Sequence, residues 1–158
     1  MNRVLLYFGR FTLILAGYAV ASLAASGFIN LLIFGSFGLA REEIAGAFAS
    51  STFTVPLVTL FVAYLAFIPS IVVIVAAEVL GRRDWLFYAL AGGVVGLVVL
   101  VAVFGIYPDP DDHDPLLHAW LTAAMIGAGL VGGVTYWLIA GRSAGTWRPE
   151  QARQLPPA

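Results

Sequence analysis

The sequence predicts an all-α polytopic membrane protein: four transmembrane helices in an antiparallel bundle with both termini cytoplasmic. Three observations lead there. Of 158 residues, 61% are hydrophobic and only 11% charged, whereas a soluble domain carries about 25% charged residues. Four apolar runs, at about 11–35, 53–80, 85–106 and 116–140, each reach the roughly 20 residues that cross a hydrocarbon core. The arginines, finally, are concentrated in three of the five segments outside those runs.

The first run follows Arg3 and Arg10 and passes through "ASLAAS", which resembles a signal-peptide cleavage site. It continues through "GFINLLIF" to about residue 35. That is too long for a signal h-region, so a retained helix is expected. Thr12, Ala19, Ser22, Ser26 and Asn30 form its small and polar stripe. Such groups are expected to cross-link helices, each interhelical bond contributing about 1 kcal/mol. In the 36–52 connection, Ile44 and Phe48 lie opposite Arg41 and Glu42, the pattern of a short helix on the outer interface.

The second run holds Pro56 and Pro69. Pro56 falls in its expected first turn, where the missing N–H costs little; Pro69 falls mid-span, removes the bond to Leu65 and predicts a kink. Glu78, near its end, is the one acid inside the four runs. An i, i+4 pair with Arg82 is the structural expectation, and a proton-relay role is the functional alternative. The turn 81–84 then leads into the third run, whose Ala89, Gly92, Gly93 and Gly96 share one face at 100° per residue. On the fourth, Thr122, Gly129, Gly133 and Ala140 share a face, with G-x-x-x-G at Gly129 and Gly133. Without Cβ atoms two backbones approach closely and dispersion holds them, so these faces are expected to pack as a hairpin.

Between the last two runs, "YPDPDDHDPLLHAW" carries four of the nine acids and both histidines. Asp109, Asp111, Asp112, His113 and His118 are the metal-ligand candidates, since carboxylates and imidazoles bind divalent ions. Their spacing does not match an EF-hand loop, and Pro108, Pro110 and Pro115 restrict wrapping. Asp114-Pro115 reads as an N-cap followed by the first helical residue, so the segment reads as a solvated turn that sets topology. Weak ion or partner binding is the alternative. Residues 1–145 make one transmembrane domain; 146–158 read as a flexible cytoplasmic tail ending in Pro-Pro.

Orientation follows from the charges. Arg3, Arg10, Arg82, Arg83, Arg142, Arg148 and Arg153 lie in the two ends and the 81–84 turn, and Arg41 alone lies on the other side. The positive-inside rule puts the arginine-rich side in the cytoplasm. Trp85, Trp120 and Trp137 fall near expected helix ends, where indole rings favour the interface.

Several functions are excluded by composition. There is no Cys and no Lys, so thiol catalysis, thiolate metal sites, Schiff-base lysines and P-loops are absent. A net charge of −1 offers no field for nucleic acid. No cofactor site is expected, and no catalytic residue.

At "GGVTYWLIAGRSAG" (132–145), with "LGRRDWLFYALAGG" (80–93) before it, the chain resembles a group of small bacterial inner-membrane proteins with four predicted helices. That group carries no established activity. The resemblance implies a bacterial inner membrane and transfers no catalytic residue. The function expected is that of a non-enzymatic accessory or scaffold protein whose partners are the bilayer and a membrane protein or further copies of the chain. A small oligomeric channel or transporter using Pro69, Glu78 and the stripe ending at Asn30 is the alternative. A membrane enzyme using the outer Asp/His residues is a third.

Overall fold

The computed structural model describes the backbone of residues 3–36, 41–106 and 115–145. It is all-helical there. Helix α1 is Arg3–Ser36, α2 Arg41–Leu80, α3 Trp85–Ile106 and α4 Pro115–Ile139, followed by one 3-10 turn, Gly141–Ser143. In lipid each backbone polar group needs a partner within its own segment, which dictates helices. Stretches in all four helices are long and apolar enough to cross a membrane: Tyr7–Ile33, Thr59–Leu80, Trp85–Val103 and His118–Ile139.

Helices α1 and α2 are longer than their apolar runs suggest. The segment expected as a separate interfacial helix is instead the start of α2, which runs for 40 residues with Pro56 and Pro69 inside it. At about 1.5 Å per residue it exceeds the roughly 30 Å hydrocarbon core. Nothing between Arg41 and Val55 forces a break: "REEIAGAFASSTFTV" contains no Pro and one Gly. Pro56 therefore falls in the helix interior, where its ring removes the bond to Thr52, and not in a first turn. Asp114, the expected cap of α4, lies outside the described residues; Pro115 is the first residue of that helix, as its fixed φ favours.

The core is made of small side chains. Ala21, Ala25, Ala77, Ala89, Ala124, Ala128, Ala140 and Ala144 are buried, together with Tyr88, Val99 and Tyr136. Large residues face outward: Leu60 is 72% exposed, Tyr64 79% and Ile68 74%. This is the arrangement expected in lipid, where no hydrophobic effect separates a leucine from its solvent and close backbone approach decides which faces meet.

Two seams follow. Between α3 and α4, a Cβ added at Gly92 would collide with the Gly129 carbonyl, and one at Gly129 with the Gly92 carbonyl. Gly96 faces the Met125 carbonyl and Gly133 the Tyr88 carbonyl in the same way. Gly93 is different. An added Cβ there would meet only the side chains of Leu130 and Ile126, at 3.5–3.6 Å, although its Cα stands against Gly129, so Gly93 lies at the edge of the seam with its Cβ direction clear of the facing backbone. Between α1 and α4, Gly17 faces Ala140 and Tyr136, Gly132 faces Ala21 and Ala25, and Gly127 faces Phe28.

Helix α1 thus meets α4 through Gly17, Ala21 and Ala25. "ASLAAS" lies in the middle of that buried face, with Ala21, Ser22, Ala25 and Ser26 all buried. The polar stripe is only partly as expected. Ser22, Ser26 and Asn30 are buried, but Thr12 and Ala19 are exposed. The bonds of two of its buried members run within the helix: Ser22 Oγ donates to the Tyr18 carbonyl at 3.0 Å and Asn30 Nδ2 to the Ser26 carbonyl at 2.9 Å. A short polar side chain on a helix reaches its own i−4 carbonyl more readily than a neighbouring helix. A side-chain bond that ties α1 to α2 at mid-span comes from Tyr18, outside the stripe, whose hydroxyl donates to the Ala63 carbonyl.

Candidate functional site

The start of α1, the end of α2, the start of α3 and the end of α4 converge on a single polar assembly. Its centre is Arg10, which forms an ion pair with Glu78. The two side chains are only 11% and 13% exposed. A guanidinium offers five donors in a fixed fork, and here it spans three elements. Nη2 bonds Glu78 Oε1 and donates to the Ala140 carbonyl at 3.1 Å, while Nη1 donates to Ser143 Oγ at 2.6 Å. Glu78 Oε2 in turn accepts the backbone N–H of Gly145 at 2.9 Å. Two buried polar atoms beside this network, Arg10 Nε and Tyr136 Oη, make no hydrogen bond.

This corrects the expected Glu78–Arg82 pair. Arg82 is exposed, and its backbone N–H bonds the Ala77 carbonyl at 3.0 Å as α2 closes. Gly81 turns the chain through φ +63° immediately before it, a conformation that glycine takes without steric cost. The turn carries the Arg82 side chain away from the α2 face, so the local partner is lost and the distant Arg10 takes its place. Gly145 is the second glycine with positive φ, +71°. A Cβ there would come within 3.0 Å of the Gly81 Cα. The α2–α3 turn and the segment after α4 are therefore held face to face.

The same end carries further ties. Tyr88 Oη donates to the Arg82 carbonyl at 3.2 Å, and Trp137 Nε1 to the Arg83 carbonyl at 2.7 Å. Arg83 Nε donates to the Ala144 carbonyl at 3.0 Å. The Arg142 guanidinium lies 4.6 Å over the Trp137 ring, within cation–π range. Tyr88 and Tyr136 pack beneath, with centroids 5.7 Å apart.

Above this layer the four helices line a half-open cavity of about 330 Å³. Its walls include Ser22, Phe61, Gly96, Val99 and Met125, and none of its lining residues is charged or a histidine. It offers an ion no continuous polar path. Its apolar wall suits hydrocarbon.

Comparison with protein families, curated proteins and solved structures returns no match. The remaining candidates are placed as follows. Gly92, Gly96, Gly129 and Gly133 come together in the α3–α4 seam, with Gly93 at its edge. Asn30 is buried at the far end of α1 from Arg10, and Pro69 is half-buried within α2; the structure does not bring either to Glu78. Asp109, Asp111, Asp112 and His113 lie outside the described residues. His118 is exposed, and its carbonyl accepts from Thr122 Oγ1 at 2.8 Å. Among the described residues no three His, Cys, Asp or Glu side chains gather as a metal site would require.

Arg10 is the residue that sequence reasoning missed. It was legible only as one positive charge on the arginine-rich side. The available signal was its depth: Arg10 falls within the first apolar stretch and Glu78 within the second. Two opposite charges embedded at the same end of neighbouring spans satisfy each other, because either one alone in lipid is costly.

Proposed function

We propose that this chain is a non-enzymatic protein of a bacterial inner membrane, an accessory or scaffold component acting through helix and loop contacts. In this reading the four helices form an antiparallel bundle with both termini in the cytoplasm. The observation that carries it is the state of Glu78. The one acid within the apolar runs is committed on both oxygens, to Arg10 and to the Gly145 backbone. A carboxylate so engaged holds helix ends together; a relay acid needs a proton donor and acceptor on either side of it. The apolar cavity wall supports the same reading against an ion channel. Convergence of the two α1/α3 starts with the two α2/α4 ends on one polar layer supports the up-and-down course, and the arginines there support a cytoplasmic placement.

Two experiments test this. Reporter fusions active only in the periplasm should be active after Asp112 and inactive after Arg83 and Arg148; the reverse pattern overturns the topology. For the function, affinity purification from native membranes should recover a stoichiometric membrane-protein partner. Recovery should fall when Asp109, Asp111 and Asp112 are neutralised or residues 146–158 are removed, with the bundle still folded. Solute flux or substrate turnover by the pure protein in liposomes, abolished by Glu78→Gln, would replace the scaffold reading with a transporter or an enzyme.

A further inference from the structure

The polar layer at the Arg10 end also presents an outward face. Arg82, Arg83 and Arg142 are all exposed there, and Asp84 is the one described acid beside them. Arg10 and Glu78 neutralise each other, so these four exposed residues leave a net charge of +2 (three cations less one anion). Asp84 is itself engaged, accepting the Leu86 N–H at 3.3 Å at the start of α3.

Two of the three guanidinium groups are held in place. Trp137 is the hinge of the arrangement: its indole N–H grips the Arg83 carbonyl at 2.7 Å while its ring face carries Arg142 at 4.6 Å. Arg83 uses Nε on the Ala144 carbonyl, which leaves its two terminal nitrogens for another acceptor. Ordering two cations beforehand removes part of the entropy lost on binding. Guanidinium groups match phosphate oxygens in geometry as well as in charge.

The depth of the cluster selects the source of that phosphate. Arg83 lies two residues before the apolar stretch that starts at Trp85, and Arg142 three after the one that ends at Ile139. Around them stand exposed apolar side chains: Trp85 at 53%, Leu86 at 45% and Leu138 at 48%. Tryptophan and arginine flanking an apolar belt lie at headgroup level. A phosphate arriving there is attached to acyl chains that cover Leu86 and Leu138.

We propose that Arg83, Arg142 and Trp137, with Arg82 beside them, form a binding site for the headgroup of an anionic phospholipid. The phosphate sits between the Arg83 and Arg142 guanidinium groups, and the acyl chains lie along the outer faces of α3 and α4. The proposal does not depend on a scaffold role or on which side of the membrane the site faces.

Native mass spectrometry of the purified full chain, supplied with phosphatidylglycerol or phosphatidylethanolamine, tests it. The wild type should retain phosphatidylglycerol preferentially. A basic residue at a membrane surface contributes roughly a fivefold preference for anionic lipid. Arg142→Gln should therefore weaken retention about fivefold, and Arg82→Gln with Arg142→Gln about 25-fold. Arg142→Lys should recover most of the loss, and Arg41→Gln, on the other connection, should cause none. Unchanged thermal unfolding of the lipid-free variants shows that the fold is intact. Equal retention of the two lipids by the wild type overturns the proposal. So does full retention by Arg142→Gln, or an equal loss in Arg41→Gln. Abolition of the preference by millimolar inorganic phosphate assigns the cluster to a soluble anion and overturns it as a lipid site.

Discussion

Glu78→Gln is expected to cost about 3–5 kcal/mol of stability, the usual loss when one partner of a buried ion pair is removed. The reason lies with the partner left behind. Arg10 is only 11% exposed at its side chain, and without the carboxylate its charge faces neutral acceptors only: the Ala140 carbonyl, the Ser143 hydroxyl and the one amide oxygen that glutamine keeps. That one oxygen cannot serve both Arg10 and the Gly145 N–H, as the two carboxylate oxygens do, so the tie between the segment after α4 and the α2–α3 turn weakens. Arg10→Met should do comparable harm by stranding Glu78. The double variant Arg10→Met, Glu78→Met should be more stable than either single one, because no buried charge is then unpaired. Thermal unfolding in a mild detergent checks all three. Additive losses in the double variant would show that the two groups act independently, and a loss below about 1 kcal/mol in both single variants would match an exposed pair.

The second large effect is expected at the α3–α4 seam. Gly129→Leu places a side chain where the Gly92 carbonyl stands, with Gly92 C at 2.8 Å and Gly93 Cα at 3.2 Å from the added Cβ. Backbone cannot rotate away as a side chain can, so the two helices must separate. Overpacking of this kind costs about 1–3 kcal/mol, and Gly92→Ala should already show it. Gly93→Ala is the internal control. Its neighbours are the Leu130 and Ile126 side chains at ordinary contact distance, and the substitution should leave stability unchanged or slightly raised, since alanine is the better helix former. If Gly92→Ala and Gly93→Ala unfold together with the wild type, the close approach is not what holds the pair.

Gly93 and Gly92 show what periodicity can and cannot resolve. At 100° per residue both fall on the same face of α3, and sequence reasoning grouped them. Which of two adjacent glycines meets a carbonyl depends on the rotation of each helix about its own axis. That rotation is set by every neighbour at once: α4 packs on α1 as well as on α3, and α3 on α2 as well as on α4. The seam as a whole was legible because close approach needs small residues at four-residue spacing, and Gly92, Gly96, Gly129 and Gly133 supply it.

The four apolar runs determined by themselves that the described chain is helical and long enough in four places to cross a membrane. In lipid the solvent supplies no hydrogen bonds, so composition alone dictates backbone conformation. The extent of α1 and α2 was less legible, since helical structure continues past the apolar limit where no proline stops it, through Gly9 in α1 and Gly46 in α2. Tertiary structure alone decided the partner of Glu78. Local spacing favoured Arg82, four residues on, but the positive φ of Gly81 turns that side chain outward. Arg10, 68 residues away in sequence, enters the gap because α1 packs on α4 through Gly17 and Ala140. Which charges meet inside the membrane is thus settled by where the helices touch, and helices touch where their side chains are smallest.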